Sequence, residues 1–218
     1  MLIAAQRPHF LPDFRYFYKL YLSDVFLFAT HLRFRKQSPI VRAKLQNGYL
    51  TIPVQHNKNH PHPPIGNVQL LADNKWKEQQ LKTIKSLYKK EPFFDFYFDS
   101  LNEIYSYSHV YLIEFLNDIF FWHIEMTFPE KTIADTSSLF VQNINSLSQW
   151  LRKYENPVFL IYPEEQGYYE HNFPEVKRRI ISSVEKIKFP SEYRAELPLL
   201  ILFFKVGPEV IFYFSKST

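Results

Sequence analysis

The stretch LIAAQRPHFLPDFRYFYKLYLSDVFLFA, residues 2–29, decides the fold. Leu2–Ala5 is a short apolar run that ends in polar residues and Pro8, as a buried strand does. Gln6–Pro12 reads as a loop. Asp13 then opens a helix with Phe14, Phe17, Tyr18 and Tyr21 at helical spacing. Val25–Ala29 is the next apolar run and a second strand. Strand, loop, helix and strand within about thirty residues form a βαβ unit, which implies a parallel sheet.

Outward from this unit, Phe34–Lys44 is basic and reads as a loop leading into a short turn of helix or strand. Tyr49–Val54 reads as a strand with Pro53 at an edge or bulge, and Val68–Leu71 as another. Stripes of apolar residues predict helices over Trp76–Tyr88, Phe93–Tyr105 and Val110–Phe121, with Pro92 dividing the first two. His123–Phe128 reads as a strand. Ser138–Tyr154 carries the best helical stripe, stopped by Asn156-Pro157, and Val158–Ile161 follows as a strand. Val176–Ile187 fits a helix or a strand, and Leu197–Val206 is a short buried segment before Gly207-Pro208. The expected fold is α/β: a Rossmann-like, mainly parallel sheet with helices on both faces. Residues 1–218 are expected to form a single domain with an added helical segment at 76–121.

Composition narrows the function. The 218 residues are 46% hydrophobic and 18% aromatic, so material for a core is plentiful. With no Cys, the chain has neither disulfides nor a thiolate nucleophile or zinc ligand. Only four Gly are present, and no GxGxxG or GxxxxGK[ST] cradle occurs. No basic n-region precedes Leu2–Ala5, and no apolar run approaches the ~18 residues of a membrane span. The expectation is a cytoplasmic protein without a membrane span. The net charge of +4 permits an anionic partner without requiring one.

Candidate site residues cluster early. Gln6–Pro12 lies at the carboxyl end of the first strand and just before a helix, where doubly wound sheets bind ligands and helix N-termini attract anions. Gln6, Arg7 and His9 are the polar residues there, and His9 has the side chain suited to proton transfer near neutrality. Arg33, Arg35, Lys36 and Arg42, with Ser38, form a cationic stretch after the second strand that suits phosphate. The bland alternatives are a rigid Pro-containing connector and a solvated basic face. His56, His60 and His62 crowd one Pro-rich loop without a nearby carboxylate or Cys, so no metal site is expected. In a strand, adjacent Glu164 and Glu165 would point to opposite faces and could not converge on one substrate. No Ser-His-Asp arrangement or nucleophile elbow is present.

The segment Gln6-Arg7-Pro8-His9-Phe10-Leu11-Pro12 with the aromatic helix after it resembles the opening of the WbqC-like family. The likeness continues through Asp24–Phe28, Lys36-Gln37-Ser38, Arg42, Leu50–Val54, and Trp76 to Pro92-Phe93-Phe94. It returns at Leu197 to Gly207-Pro208-Glu209. Members occur with polysaccharide and O-antigen systems, and transfer of an aminoacyl group to an amino sugar on a nucleotide carrier has been proposed for them. The resemblance thus implies a transferase that holds a nucleotide-sugar or other phosphorylated small molecule. Arg7, Lys36 and Arg42 would bind its phosphate, beside Gln6 and Ser38, and His9 would be catalytic, with no cofactor. Several polar family positions differ: Gln6 stands for a His, Arg7 for a Gln, His9 for an Asn and Gln80 for a His. A proton-transfer mechanism depends on such groups more than a fold does. A binding protein without catalysis is therefore a second reading. A nucleic-acid binder, suggested by interleaved basic and aromatic residues, ranks last.

Overall fold

The computed structural model describes residues 1–30, 32–55, 62–130, 133–135, 151, 154–182, 184, 187–190 and 193–215. Leu2–Gln6 (β1) leads through a loop to Phe14–Leu22 (α1) and Val25–Phe28 (β2). Arg42–Leu45 (β3) and Gly48–Thr51 (β4) make an antiparallel hairpin. Lys75–Tyr88 (α2), Phe94–Ser106 (α3) and Leu112–Thr127 (α4) are the added helical segment. Ile133–Asp135 (β5), Val158–Ile161 (β6), Gln166–Asn172 (α5) and Lys177–Ile180 (β7) complete the α/β part. Leu199–Val206 (α6) and Val210–Ser215 (α7) close the chain.

Five strands pair in parallel in the order β5-β2-β1-β6-β7. From β1 the chain steps one way through α1 to β2; from β6 it steps the other way through α5 to β7. Right-handed crossovers then require α1 and α5 on opposite faces. Packing agrees, with the alternation of strand side chains. Ala4, Phe26, Phe28 and Leu160 face the rings of α1 and α4 in one core. Ile3, Leu27, Phe159 and Ile161 face Tyr169 of α5 and Phe173 just after it in the other. The fold is the α/β, parallel-sheet class that the sequence implies. The larger core is continuous from the sheet through the helical segment to α6 and α7. Phe120 of α4 stacks on Phe28 at 4.4 Å and reaches Phe17 at 6.1 Å. Burying each such ring stabilises by about 2–3 kcal/mol. Among the described residues, no helix is long and apolar enough to cross a membrane.

Three local expectations change, and one open alternative resolves. His123–Phe128 is not a strand: α4 runs through to Thr127. His123 Nδ1 lies 2.7 Å from the Ile119 carbonyl, and Thr127 Oγ1 donates to the His123 carbonyl at 2.7 Å, both bonds one helical turn back. An apolar run of this length fits either period, and burial beneath Phe17 and Phe203 decides it. Tyr49–Val54 is cut at Thr51, since Pro53 has no N–H for a ladder. Val68–Leu71 gives only the bridges Val54 to Leu70 and Gln69 to Tyr111. Within Val176–Ile187 the regular part is strand β7. The helix expected over 138–154 falls almost wholly outside the described residues.

Gly207 carries φ +59 and ψ −138 at the end of α6, a backbone region that is open essentially to glycine alone. A Cβ there would stand 2.6 Å from Phe93 Cδ1. Gly207→Ala is expected to destabilise the fold by about 2–3 kcal/mol in urea unfolding. A loss below about 0.5 kcal/mol would show that this turn relaxes freely.

Candidate functional site

The loop after β1 is pinned from several sides. The Phe10 N–H donates to the Pro39 carbonyl at 2.8 Å, and the Pro12 carbonyl accepts from the Leu199 N–H at 2.9 Å. Phe10 and Leu11 are buried. Leu11 sits at φ 45, a strained position for a branched residue that the surrounding packing maintains. Asp13 caps α1 by accepting from the Tyr16 N–H at 2.9 Å. Burial pushes the Asp13 carboxyl up to about 6 against the lowering effect of that bond. With its apolar residues anchored below, the loop turns Gln6, Arg7 and His9 toward a hollow of about 380 Å3.

That hollow lies over the carboxyl ends of β1 and β2, against the turn and helix that follow β6. The outgoing connections of β1 and β6 diverge here, which is the switch point of the sheet. Glu164 and Glu165 line its other side with Tyr168 and Tyr169 of α5. The expectation that the two glutamates diverge is corrected. They sit in the 3-10 turn Pro163–Glu165, not in a strand, and both engage α1. Glu164 pairs with Arg15 at 2.5 Å. His171, in α5, is exposed and does not line the hollow.

Glu165 is held by a buried network. Lys19 has no exposed side-chain surface, and its Nζ lies 2.7 and 2.9 Å from the two Glu165 oxygens. The Tyr162 N–H donates to Glu165 Oε2 at 2.7 Å, and Gln6 Nε2 to Oε1 at 3.2 Å. Burial lowers the Lys19 pKa, and the Glu165 charge offsets only part of that. Tyr162 Oη donates to the Arg15 carbonyl at 2.6 Å, and the Arg15 guanidinium lies 4.4 Å from the Tyr162 ring centre. Five polar groups thus lock the floor of the hollow.

Arg7 is different. It is half-buried, and its pKa is lowered first by burial and then by the charge of Arg35. Among the described residues, neither guanidinium has a carboxylate partner. Tyr16 Oη donates to the Arg7 carbonyl at 3.0 Å and so fixes the backbone beneath it. His9 packs 4.9 Å from the Tyr16 ring; burial, then Arg7 and Lys19, lowers it to about 4. Its imidazole is therefore neutral at pH 7, and titration near neutrality, as the sequence suggested, is not what this environment produces.

His9 also borders a second hollow of about 250 Å3, lined by Asp13, Ser38, Arg42, Tyr49 and Glu196 among others. Arg42 stacks on Tyr49 at 4.3 Å, and Ser38 Oγ donates to the Arg35 carbonyl at 2.6 Å. The six sequence candidates therefore divide. Gln6 and Arg7 line the first hollow, Ser38 and Arg42 the second, and His9 both; Lys36 is exposed and lines neither. Arg7, Lys36 and Arg42 do not share one hollow. Lys19, Arg35, Glu165 and Tyr168 complete the picture. The signal for Glu165 was available: acidic residues just after Tyr162-Pro163 mark a helix start. His56 and His60 lie outside the described residues.

Strand order and hollow define a doubly wound α/β domain whose candidate ligand site is the sheet's switch point. The chain belongs to the WbqC-like protein family, whose model matches residues 7–180. The match stops before α6, so the closing helix and its Gly-Pro turn lie beyond it. No curated protein and no solved structure shows significant similarity to the chain.

The Lys19–Glu165 pair sets a pH signature. Lys19 has a lower pKa folded than unfolded, so the unfolded chain binds more protons between the two values. Stability from this group rises with pH through that window. Glu165→Gln leaves the ammonium buried without its counter-charge and is expected to cost about 3 kcal/mol at pH 7. Part of the loss should return as pH approaches 10. Urea unfolding from pH 7 to 10 checks this; a variant with wild-type stability and slope would contradict it.

Proposed function

We propose that the first hollow binds a phosphorylated sugar, most simply a nucleotide-sugar, and that the chain takes part in moving an acyl or aminoacyl group onto an amino sugar in surface-polysaccharide synthesis. The observation that carries the binding part is Arg7: a half-buried guanidinium that lines the hollow, lies in the field of the Arg35 charge, and has no carboxylate partner among the described residues. An anion there relieves the repulsion and the desolvation together, and the planar guanidinium matches phosphate geometry. Gln6 commits its N–H to Glu165, which leaves its carbonyl oxygen to accept from a sugar hydroxyl. Tyr168 offers an exposed ring at the flank. Family membership supports the transferase part through the polysaccharide setting that the resemblance implies.

In this reading the second hollow takes the acyl donor, with Ser38 and Arg42 on it, since His9 borders both spaces. The free amine of the sugar attacks the acyl carbon, the C–N bond forms, and the donor's leaving group departs with the electron pair. His9, as a neutral imidazole, accepts the proton that nitrogen releases. Lys36 acts only at a distance, drawing anions toward the loop. A second reading is binding without turnover. It is favoured by the same electrostatics: His9 is a weak base at about 4, and Lys19 neutralises Glu165.

A thermal-shift panel of nucleotide-sugars, free nucleotides and pyrophosphate tests the binding claim. A ligand at 100 times its Kd should add about 2.7 kcal/mol of stability. Arg7→Ala should abolish the shift, and Lys36→Ala should leave most of it. If nothing in the panel stabilises the protein, or Arg7→Ala responds like wild type, the reading fails. Product formation from an amino-sugar nucleotide and an acyl donor separates transfer from binding alone. For a diphosphate diester, which keeps its charge from pH 6 to 8, His9 should add no step in affinity over that range. A step near 6.5 would mean that His9 is not held neutral.

A further inference from the structure

A second chemical cluster sits in the helical segment and shares no lining residue with either hollow above. Lys77, in the first turn of α2, is 5% exposed. Its Nζ donates to the Tyr107 carbonyl at 2.6 Å and lies 3.3 Å from His109 Nδ1. On the other side of the imidazole, Nε2 lies 2.7 Å from Asp118 Oδ2 of α4. The His109 side chain is 4% exposed, while Asp118 is 41% exposed. The ring is fixed edge-on to Phe115 at 5.3 Å. One tautomer satisfies both polar contacts: Nε2–H donates to Asp118, and Nδ1 accepts from the lysine. The order is carboxylate, imidazole, amine, which is the logic of an activated nucleophile with an oriented base.

The lysine also borders a hollow of about 300 Å3, with Asn74, Glu78, Asn102, Ser106 and Ser108 among its walls. Two serine hydroxyls, two asparagine amides and the Glu78 carboxylate thus face it, groups that can hydrogen-bond a hydroxylated ligand. Burial lowers the Lys77 pKa, and the Asp118 charge opposes that only in part. A simple tie between helices would need the bond to Tyr107 and no imidazole aligned on a carboxylate.

We infer that Lys77 is a nucleophilic amine, with His109 as its base and Asp118 as the group that orients that base, and that it condenses with the carbonyl of a small hydroxylated aldehyde or ketone held in this hollow. His109 Nδ1 takes a proton from the Lys77 ammonium. The freed lone pair attacks the carbonyl carbon, the C=O π pair moves to oxygen, and proton transfer from nitrogen to that oxygen gives a neutral carbinolamine. The nitrogen pair then forms C=N as the hydroxyl leaves as water, with the proton on His109 returned to it and the last N–H proton passing to His109. The product is a reversible imine.

The full chain is incubated with D-glyceraldehyde and sodium cyanoborohydride at pH 7, and lysine modification is followed site by site by peptide mass spectrometry. Cyanoborohydride delivers hydride to the imine carbon and leaves a stable secondary amine. Lys75 and Lys82, exposed on the same helix, are the references. A lowered amine pKa leaves more free base at pH 7, and His109 stands 3.3 Å away to take the proton, so general-base help should make Lys77 react about tenfold faster than either. His109→Asn and Asp118→Asn should remove that lead and leave Lys75 and Lys82 unchanged. The inference is overturned if Lys77 reacts no faster than the references in the wild type, or keeps its full lead in both variants. Should a variant fail to fold, the wild-type ratio alone decides.

Discussion

The buried ion pair between Lys19 and Glu165 is the constraint on which the candidate ligand site depends. It joins α1, which follows β1, to the turn that follows β6, across the line where the sheet's connections diverge. Without it, an ammonium with no exposed surface would stand among Tyr162, Tyr169 and the Ala5 carbonyl with little to compensate its desolvation. With it, the carboxylate also collects the Tyr162 N–H and the Gln6 amide. One interaction therefore sets the depth of the hollow, the direction of Gln6 and the start of α5. Such a pair is weak evidence for stability, because two charges leave water to make it. What it contributes is a fixed relation between α1 and the turn after β6, beside the outer Arg15–Glu164 pair and the Tyr162 bond to the Arg15 carbonyl.

The electrostatic contrast inside the hollow follows from that arrangement. Negative charge on the floor is already matched, since Glu164 pairs with Arg15 and Glu165 with Lys19. Positive charge at the lip has no carboxylate partner among the described residues, and the Arg35 charge adds to that of Arg7. A ligand that fits both regions carries an anionic group at one end and neutral hydrogen-bonding groups at the other. Sugar phosphates have that division. The aromatic core beneath keeps the geometry stiff: Tyr16 holds the Arg7 backbone by its hydroxyl and packs its ring on His9 and Phe26.

How much of this could be read from the sequence varies with the kind of signal. The βαβ unit at residues 2–29 was plain, because two apolar runs flank a capped amphipathic helix and each signal is local. The helices of the added segment were plain for the same reason, with ends correct to within a few residues. The end of α4 was not, because His123–Phe128 is apolar at both periods and only burial against Phe17 and Phe203 decides it. Within the site, Gln6, Arg7 and His9 were legible from their place after a strand. The basic loop was not, because an irregular backbone has no period from which to infer direction. The charge of Arg35 acts on Arg7, Arg42 stacks on Tyr49, and Lys36 faces solvent. Lys19 stands beside the apolar stripe of α1, and its partner lies 146 residues away, beyond any local pattern.

The most direct measurement is the stability of Lys19→Met, Glu165→Gln and the double variant by urea unfolding at pH 7. If the pair is a fixed link, each single change strands a polar partner in a site made for charge, and the double variant should lose about 1–3 kcal/mol less than the sum of the two single losses. Strictly additive losses would contradict the account, since they would mean that Lys19 and Glu165 act independently and that this pair does not couple α1 to the turn after β6.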